Sequence, residues 1–89
     1  MDNTRQLEKN LKALANRRRL AILKYLKHNP EAPVGELASE IRLSFKATSK
    51  HLSILSALDI VEKEQRGLGV FYRLAKVQLP AVKLILSLL

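Results

Sequence analysis

The spacing of apolar residues changes period twice along this chain, and those changes limit the fold more than any other feature. Leu7, Leu11 and Leu14 recur at i, i+4 and i+7, the rhythm of a helix with one buried face. The same spacing returns in Leu20, Ile22, Leu23 and Leu26, then in Val34, Leu37, Ala38 and Ile41, and again in Thr48, Leu52, Leu55 and Leu58. From Ile60 the period becomes two. Ile60 to Arg66 and Val70 to Leu74 flank Gly67-Leu68-Gly69, a pattern that predicts a β-hairpin. Helical spacing resumes after Pro80, which suits a first helical turn. The expected fold is mainly α with a β-hairpin: five helices and a two-stranded hairpin, forming one domain over residues 1–89.

Local chemistry sets the expected boundaries. Asp2 and Thr4 are candidate caps for the first helix, Asn16 for the second and Ser44 for the fourth, because a short polar side chain can accept from an unpaired N–H of the first turn. His28-Asn29-Pro30 ends the second helix, and Leu43-Ser44 separates a short third helix from the fourth.

Eighty-nine residues with no cysteine can build one small core without disulfide support, so extra burial through oligomerisation is expected. Lys and Arg number 16 against 8 Asp and Glu, a net charge of +8, which favours a polyanionic partner such as nucleic acid or an acidic membrane surface. The opening residues Met1 to Arg5 lack the apolar run of a signal peptide. No stretch approaches the roughly 18 apolar residues of a membrane span. A cytoplasmic location and no membrane partner are therefore expected.

The third and fourth helices with the following hairpin form a helix-turn-helix with a wing. One α-helix fits the major groove of DNA, so a reading helix needs an apolar side that holds it on the domain and a short polar side that reaches base edges. Ser44, Phe45, Lys46, Ser49, Lys50 and Ser53 are the candidate DNA contacts on that outer side, and Arg66 near the hairpin tip is a candidate phosphate contact.

Four segments together resemble the ArsR-type winged-helix repressors. These are Leu11 to Leu20, Val34-Gly35-Glu36-Leu37-Ala38, Ser49-Lys50-His51-Leu52 with Leu55 and Ile60-Val61, and Phe71-Tyr72-Arg73-Leu74. The resemblance runs from about Leu7 to Leu74. It implies a homodimer bound to a palindromic operator in double-stranded DNA, with the fourth helix in the major groove and the wing along the minor groove. It also implies dimer contacts through the first and last helices, for which Leu7, Leu11, Val82, Ile85, Leu86 and Leu89 are the candidates. Members that sense metals carry cysteines on the third helix, or His and carboxylate ligands on the last. Here those places hold Glu36-Leu37-Ala38-Ser39-Glu40 and Leu, Ile, Val and Ala, so no metal site and no cofactor are expected. Leu58-Asp59 stands where Ala-Gly is common, and Asp tolerates the left-handed conformation less well than Gly. His51 falls at the family's structural histidine.

Several residues keep two readings. Arg17-Arg18-Arg19 oppose the dipole of the helix they begin; either DNA phosphate or carboxylates such as Glu36, Glu40, or a partner's Asp2 and Glu8 would offset them. Phe45 could touch a thymine methyl or pack on the third helix. Glu62 and Glu64 either face away from DNA or pair with Arg73 across the hairpin. No nucleophile, base and acid occur in a catalytic order, and no Gly-rich phosphate loop precedes a helix, so an enzyme is not expected. Nine of the thirteen residues from Val77 to Leu89 are apolar, more than one buried stripe uses, which implies a second apolar surface. The expected function is transcriptional repression by operator binding. The alternatives are a winged-helix module binding RNA or a protein, and an amphipathic membrane-surface protein. The effector is left open.

Overall fold

The structure, a computed structural model, describes residues 3–89. Helices α1 (Thr4–Leu14) and α2 (Arg17–His28) are followed by a two-residue strand, β1 (Ala32–Pro33). Helices α3 (Val34–Ile41) and α4 (Phe45–Ala57) come next. Strands β2 (Val61–Arg66) and β3 (Gly69–Leu74) precede the closing helix α5 (Pro80–Ser87). All five expected helices and the hairpin are present.

Two of the expected caps operate. The Arg19 N–H donates to Asn16 Oδ1 at 3.0 Å, and the Ala47 N–H donates to Ser44 Oγ at 3.1 Å; a cap of this kind contributes about 1 kcal/mol. Thr4 lies inside α1 rather than before it, because Asn3 occupies the capping position. Asp2 lies outside the described residues.

Both helix ends that frame the turn and the wing use a left-handed residue. After α3 it is Arg42, with φ 55°, and after α4 it is Asp59, with φ 57°. At α4 the Ile60 N–H reaches back to the Leu55 carbonyl at 3.0 Å and the Asp59 N–H to the Ser56 carbonyl at 3.0 Å. This is the Schellman arrangement, completed by apolar contact between the two flanking side chains; Leu55 and Ile60 are both buried. Asp59 thus adopts the backbone conformation usual for glycine.

The sheet has three strands in the order β1-β3-β2, one more than the sequence suggests. Ala32 pairs with Tyr72 and Pro33 with Phe71. Two residues beside prolines show no alternation, and Pro33, which has no N–H, is tolerated because β1 lies at the sheet edge. One apolar cluster runs through the whole molecule. It draws on Leu14 of α1, Ile22, Leu23 and Leu26 of α2, Leu37 and Ile41 of α3, Leu52 and Leu55 of α4, Ile60, Val61, Tyr72 and Val82 of α5. Helix α5 packs on α1 and α2.

Candidate nucleic-acid interface

Helix α4 is divided lengthwise by burial. Thr48, Leu52 and Leu55 are fully buried, and the Thr48 hydroxyl donates to the Ser44 carbonyl at 2.8 Å, which satisfies its polar atom inside the core. The other side presents Phe45, Lys46, Lys50 and Ser53 to solvent, with Ser49 half-buried and the capping Ser44 exposed at the start of the helix. Neither lysine has an ion-pair partner among the described residues. Unpaired cations beside short hydroxyl side chains on an anchored helix suit phosphate contact and base-edge hydrogen bonds. Phe45 is 62% exposed, so most of its surface is open to solvent.

Arg18 and Arg19 resolve the opposition at the start of α2 in a way neither expectation named. Arg18 Nη1 donates to the Ile41 carbonyl at 2.5 Å and to the Arg42 carbonyl at 3.5 Å. Arg19 Nε donates to the Ala13 carbonyl at 2.5 Å and its Nη2 to the Lys12 carbonyl at 3.4 Å. The partners are the C-terminal carbonyls of α3 and α1, neutral acceptors at the partly negative helix ends, where a cation is favoured by the helix dipole. Glu36 instead accepts from the Tyr25 hydroxyl, an interaction that pushes the phenol up to about 12. Glu8 pairs within its own helix with Lys12 at 3.7 Å. Arg17 is exposed and has no partner among the described residues.

His51 sits half-buried on α4, and its Nδ1 lies 3.2 Å from Arg19 Nη1. A guanidinium can only donate, so Nδ1 accepts and the ring is neutral. Burial, with the charges of Arg19 and Arg18, lowers its pKa below the usual 6.5. Its place beside Arg19 is structural.

The wing differs most from expectation. Arg66 is not a free cation: its guanidinium is paired with Glu31, lies 4.0 Å from Glu64 and stacks 4.0 Å over the Phe71 ring. Arg73 pairs with Glu64 at 2.8 Å and Glu62 at 3.4 Å, as the cross-hairpin reading has it. Gly69 permits the stack, since a Cβ there would meet the Phe71 ring at 3.1 Å. Lys63, which the sequence reading passed over, lines a groove with Phe45 and Ser49 of α4. Its shared parity with the buried Val61 is the signal that would have found it.

Among the dimer candidates, Val82 is corrected. It is 1% exposed and belongs to the protomer's own core, while Ile85, Leu86 and Leu89 pack partly against that core. The outer apolar surface is carried by Leu84 at 63% and Leu88 at 74% exposure, together with Leu7 and Leu11 of α1. The last helix therefore has the two apolar sides its composition implies, with the outer one formed by residues outside the expected stripe. Among the described residues, no three His, Cys, Asp or Glu side chains come together as a metal would need, and no helix is long and apolar enough to cross a membrane.

An anchored helix in a helix-turn-helix, with an adjoining hairpin, defines a winged helix-turn-helix DNA-binding transcription regulator. The family described as bacterial regulatory protein, arsR family, matches residues 16–63. The transcriptional activator HlyU of Vibrio cholerae is 40% identical over 87 residues, spanning 90% of this chain and 80% of that protein. A solved structure of HlyU from Vibrio cholerae superposes with a TM-score of 0.83 at 39% identity, covering 98% of this chain and 90% of that one. The homodimeric winged helix-turn-helix DNA-binding domain Mb0332 from Mycobacterium bovis gives 0.81 at 30% identity, covering 96% and 75%. The transcriptional repressor BigR from Xylella fastidiosa gives 0.79 at 29% identity, covering 97% and 82%. The chain belongs to the arsR family of bacterial regulatory proteins.

Proposed function

We propose that two copies of this chain, each a single DNA-binding domain, bind a palindromic operator in the cytoplasm and repress transcription by occupying it. The observation that carries the reading is the outer side of α4, where Lys46 and Lys50 stand unpaired beside Ser49 and Ser53 while Thr48, Leu52 and Leu55 lock the opposite side into the core. Ser44, Phe45, Lys46, Ser49, Lys50 and Ser53 form the contact set. A phosphate contact by Arg66 would compete with Glu31 and Glu64 for its guanidinium.

The homodimer is supported by the exposed Leu7, Leu11, Leu84 and Leu88 and by the homodimeric state of the Mb0332 domain. A two-fold pair engages half-sites one helical turn, about 34–36 Å, apart, and the second contact then gains from effective concentration. Relatives act in both directions, HlyU as an activator and BigR as a repressor. Nothing in this reading requires catalysis, a metal or a cofactor. Because the 89 residues contain no cysteine, they cannot respond through thiol chemistry.

Selecting bound duplexes from random DNA in the presence of competitor tests the proposal. A palindromic site whose occupation lowers transcription in a reconstituted assay is the expected result. Binding with no preferred site, or activation from that site, would overturn it.

A further inference from the structure

The chemistry that α4 can bring to a base edge is narrow. Between Ser44 and Leu58 the sequence holds no Asn, Gln, Asp or Glu, the side chains that pair with adenine through two hydrogen bonds or accept from cytosine N4. The solvent side offers Phe45, Lys46, Lys50 and Ser53, with Ser49 half-buried and the Ser44 hydroxyl already accepting from the Ala47 N–H at 3.1 Å. A serine hydroxyl both donates and accepts, so it discriminates poorly among bases, and a lysine is a point charge that serves phosphate and guanine alike. One side chain on this face has a single kind of base partner. It is the Phe45 ring, whose match in the major groove is the C5-methyl of a pyrimidine.

The ring is available for that contact. Phe45 is 62% exposed, and it stays outside the apolar cluster that takes in Leu43 two residues earlier. It stands in the first turn of α4, and the N-terminal residues of a helix lying in the major groove are those that meet base edges. The same row of the helix carries Ser49 and Ser53 at i+4 and i+8, about 6 and 12 Å further on. With about 3.4 Å between base pairs, the ring meets a pair some two and four steps from theirs. We infer, resting on the operator-binding reading above, that Phe45 is the specificity-determining residue of α4 and seats on a pyrimidine C5-methyl in each half-site, supplied by thymine or by 5-methylcytosine. The ring reads the methyl and not the base that carries it, because both bases project that group into the major groove from the same ring carbon.

The test uses the full chain and its selected operator, and alters the DNA by one methyl at a time. Replacing each thymine in turn with deoxyuridine leaves base pairing and the O4 acceptor in place. At one position in each half-site the replacement is expected to weaken binding about fourfold, the worth of a single methyl returned to water, with the salt slope unchanged. At that position a cytosine·guanine pair should bind more tightly, by a similar factor, when the cytosine carries the C5-methyl. Phe45→Ala is expected to bind thymine and deoxyuridine operators equally, and methylated and unmethylated cytosine equally. Phe45→Leu, still apolar, should keep part of the preference. Both variants should unfold close to wild type, since the ring is exposed. A site-selective parent indifferent to every deoxyuridine replacement, or a methyl preference that survives in Phe45→Ala, would overturn this inference alone. A parent that selects no site would overturn the operator reading with it.

Discussion

Arg19 reaches across from α2 and donates from Nη1 to His51 Nδ1 at 3.2 Å, joining the start of one helix to the middle of α4. The same guanidinium holds the Ala13 and Lys12 carbonyls at the end of α1. One side chain therefore ties three helices together, and it does so only while the imidazole is neutral.

That condition sets a pH dependence. His51 has its pKa lowered from 6.5 by burial and by Arg19 and Arg18, so below pH 6.5 the unfolded chain takes up the proton more readily than the folded one. Stability is then fully present above about pH 6.5, declines as pH falls beneath it, and levels off below the folded pKa. Urea unfolding between pH 5 and 8 should show this decline in the wild type and a shallower one in His51→Gln. Equal slopes would count against the account.

Arg18 is predicted to matter for stability through a main-chain contact. Removing its hydrogen bond to the Ile41 carbonyl leaves the end of α3 uncompensated, and Arg18→Met should cost about 1 kcal/mol. Arg17→Met, which breaks no contact among the described residues, should cost little by comparison. Chemical denaturation of the two variants checks the contrast.

Lys46→Ala and Lys50→Ala should each weaken operator binding and lower its salt slope by about one for each phosphate left without its lysine. Thermal unfolding should stay within a few tenths of a kcal/mol of wild type, as is usual for exposed positions. Fluorescence anisotropy at several ionic strengths reads both effects, and wild-type affinity in the double variant would contradict the proposed contact set.

Two substitutions, one inside α5 and one at the residue that caps its C-terminal end, should part company. Leu88→Asp places a charge on the exposed side of the helix and is expected to give a folded monomer in sedimentation, with much weaker operator binding. Val82→Asp buries an unpaired carboxylate in the core and should prevent folding, a loss of several kcal/mol. A folded Val82→Asp dimer would be the contrary result.

These residues also show what could be read without coordinates. Asn16 and Ser44 were legible as caps because the bond each makes closes within three residues. The hairpin was legible because its alternation spans six residues on each side. β1 was not, since two residues have no period and its partner lies about forty positions away. Arg18 and Arg19 escaped because a carbonyl acceptor carries no signature of residue type. On α5 the helical period defines a stripe, yet nothing in a period says whether that stripe faces its own core or the outside; Val82 and Leu88 needed the packing itself. Arg66 looked like a free cation because Glu31 lies 35 residues earlier, and only the fold brings the two together.

The left-handed residues Arg42 and Asp59 give α3 and α4 hard stops at their C-terminal ends. Their hydrogen bonds run backbone to backbone, so a change of side chain or of solution conditions leaves them largely alone. Each end is thereby pinned to its own protomer by the main chain. In the proposed dimer, control over operator binding is then expected to work by altering how far apart, or at what tilt, the two copies of α4 are carried.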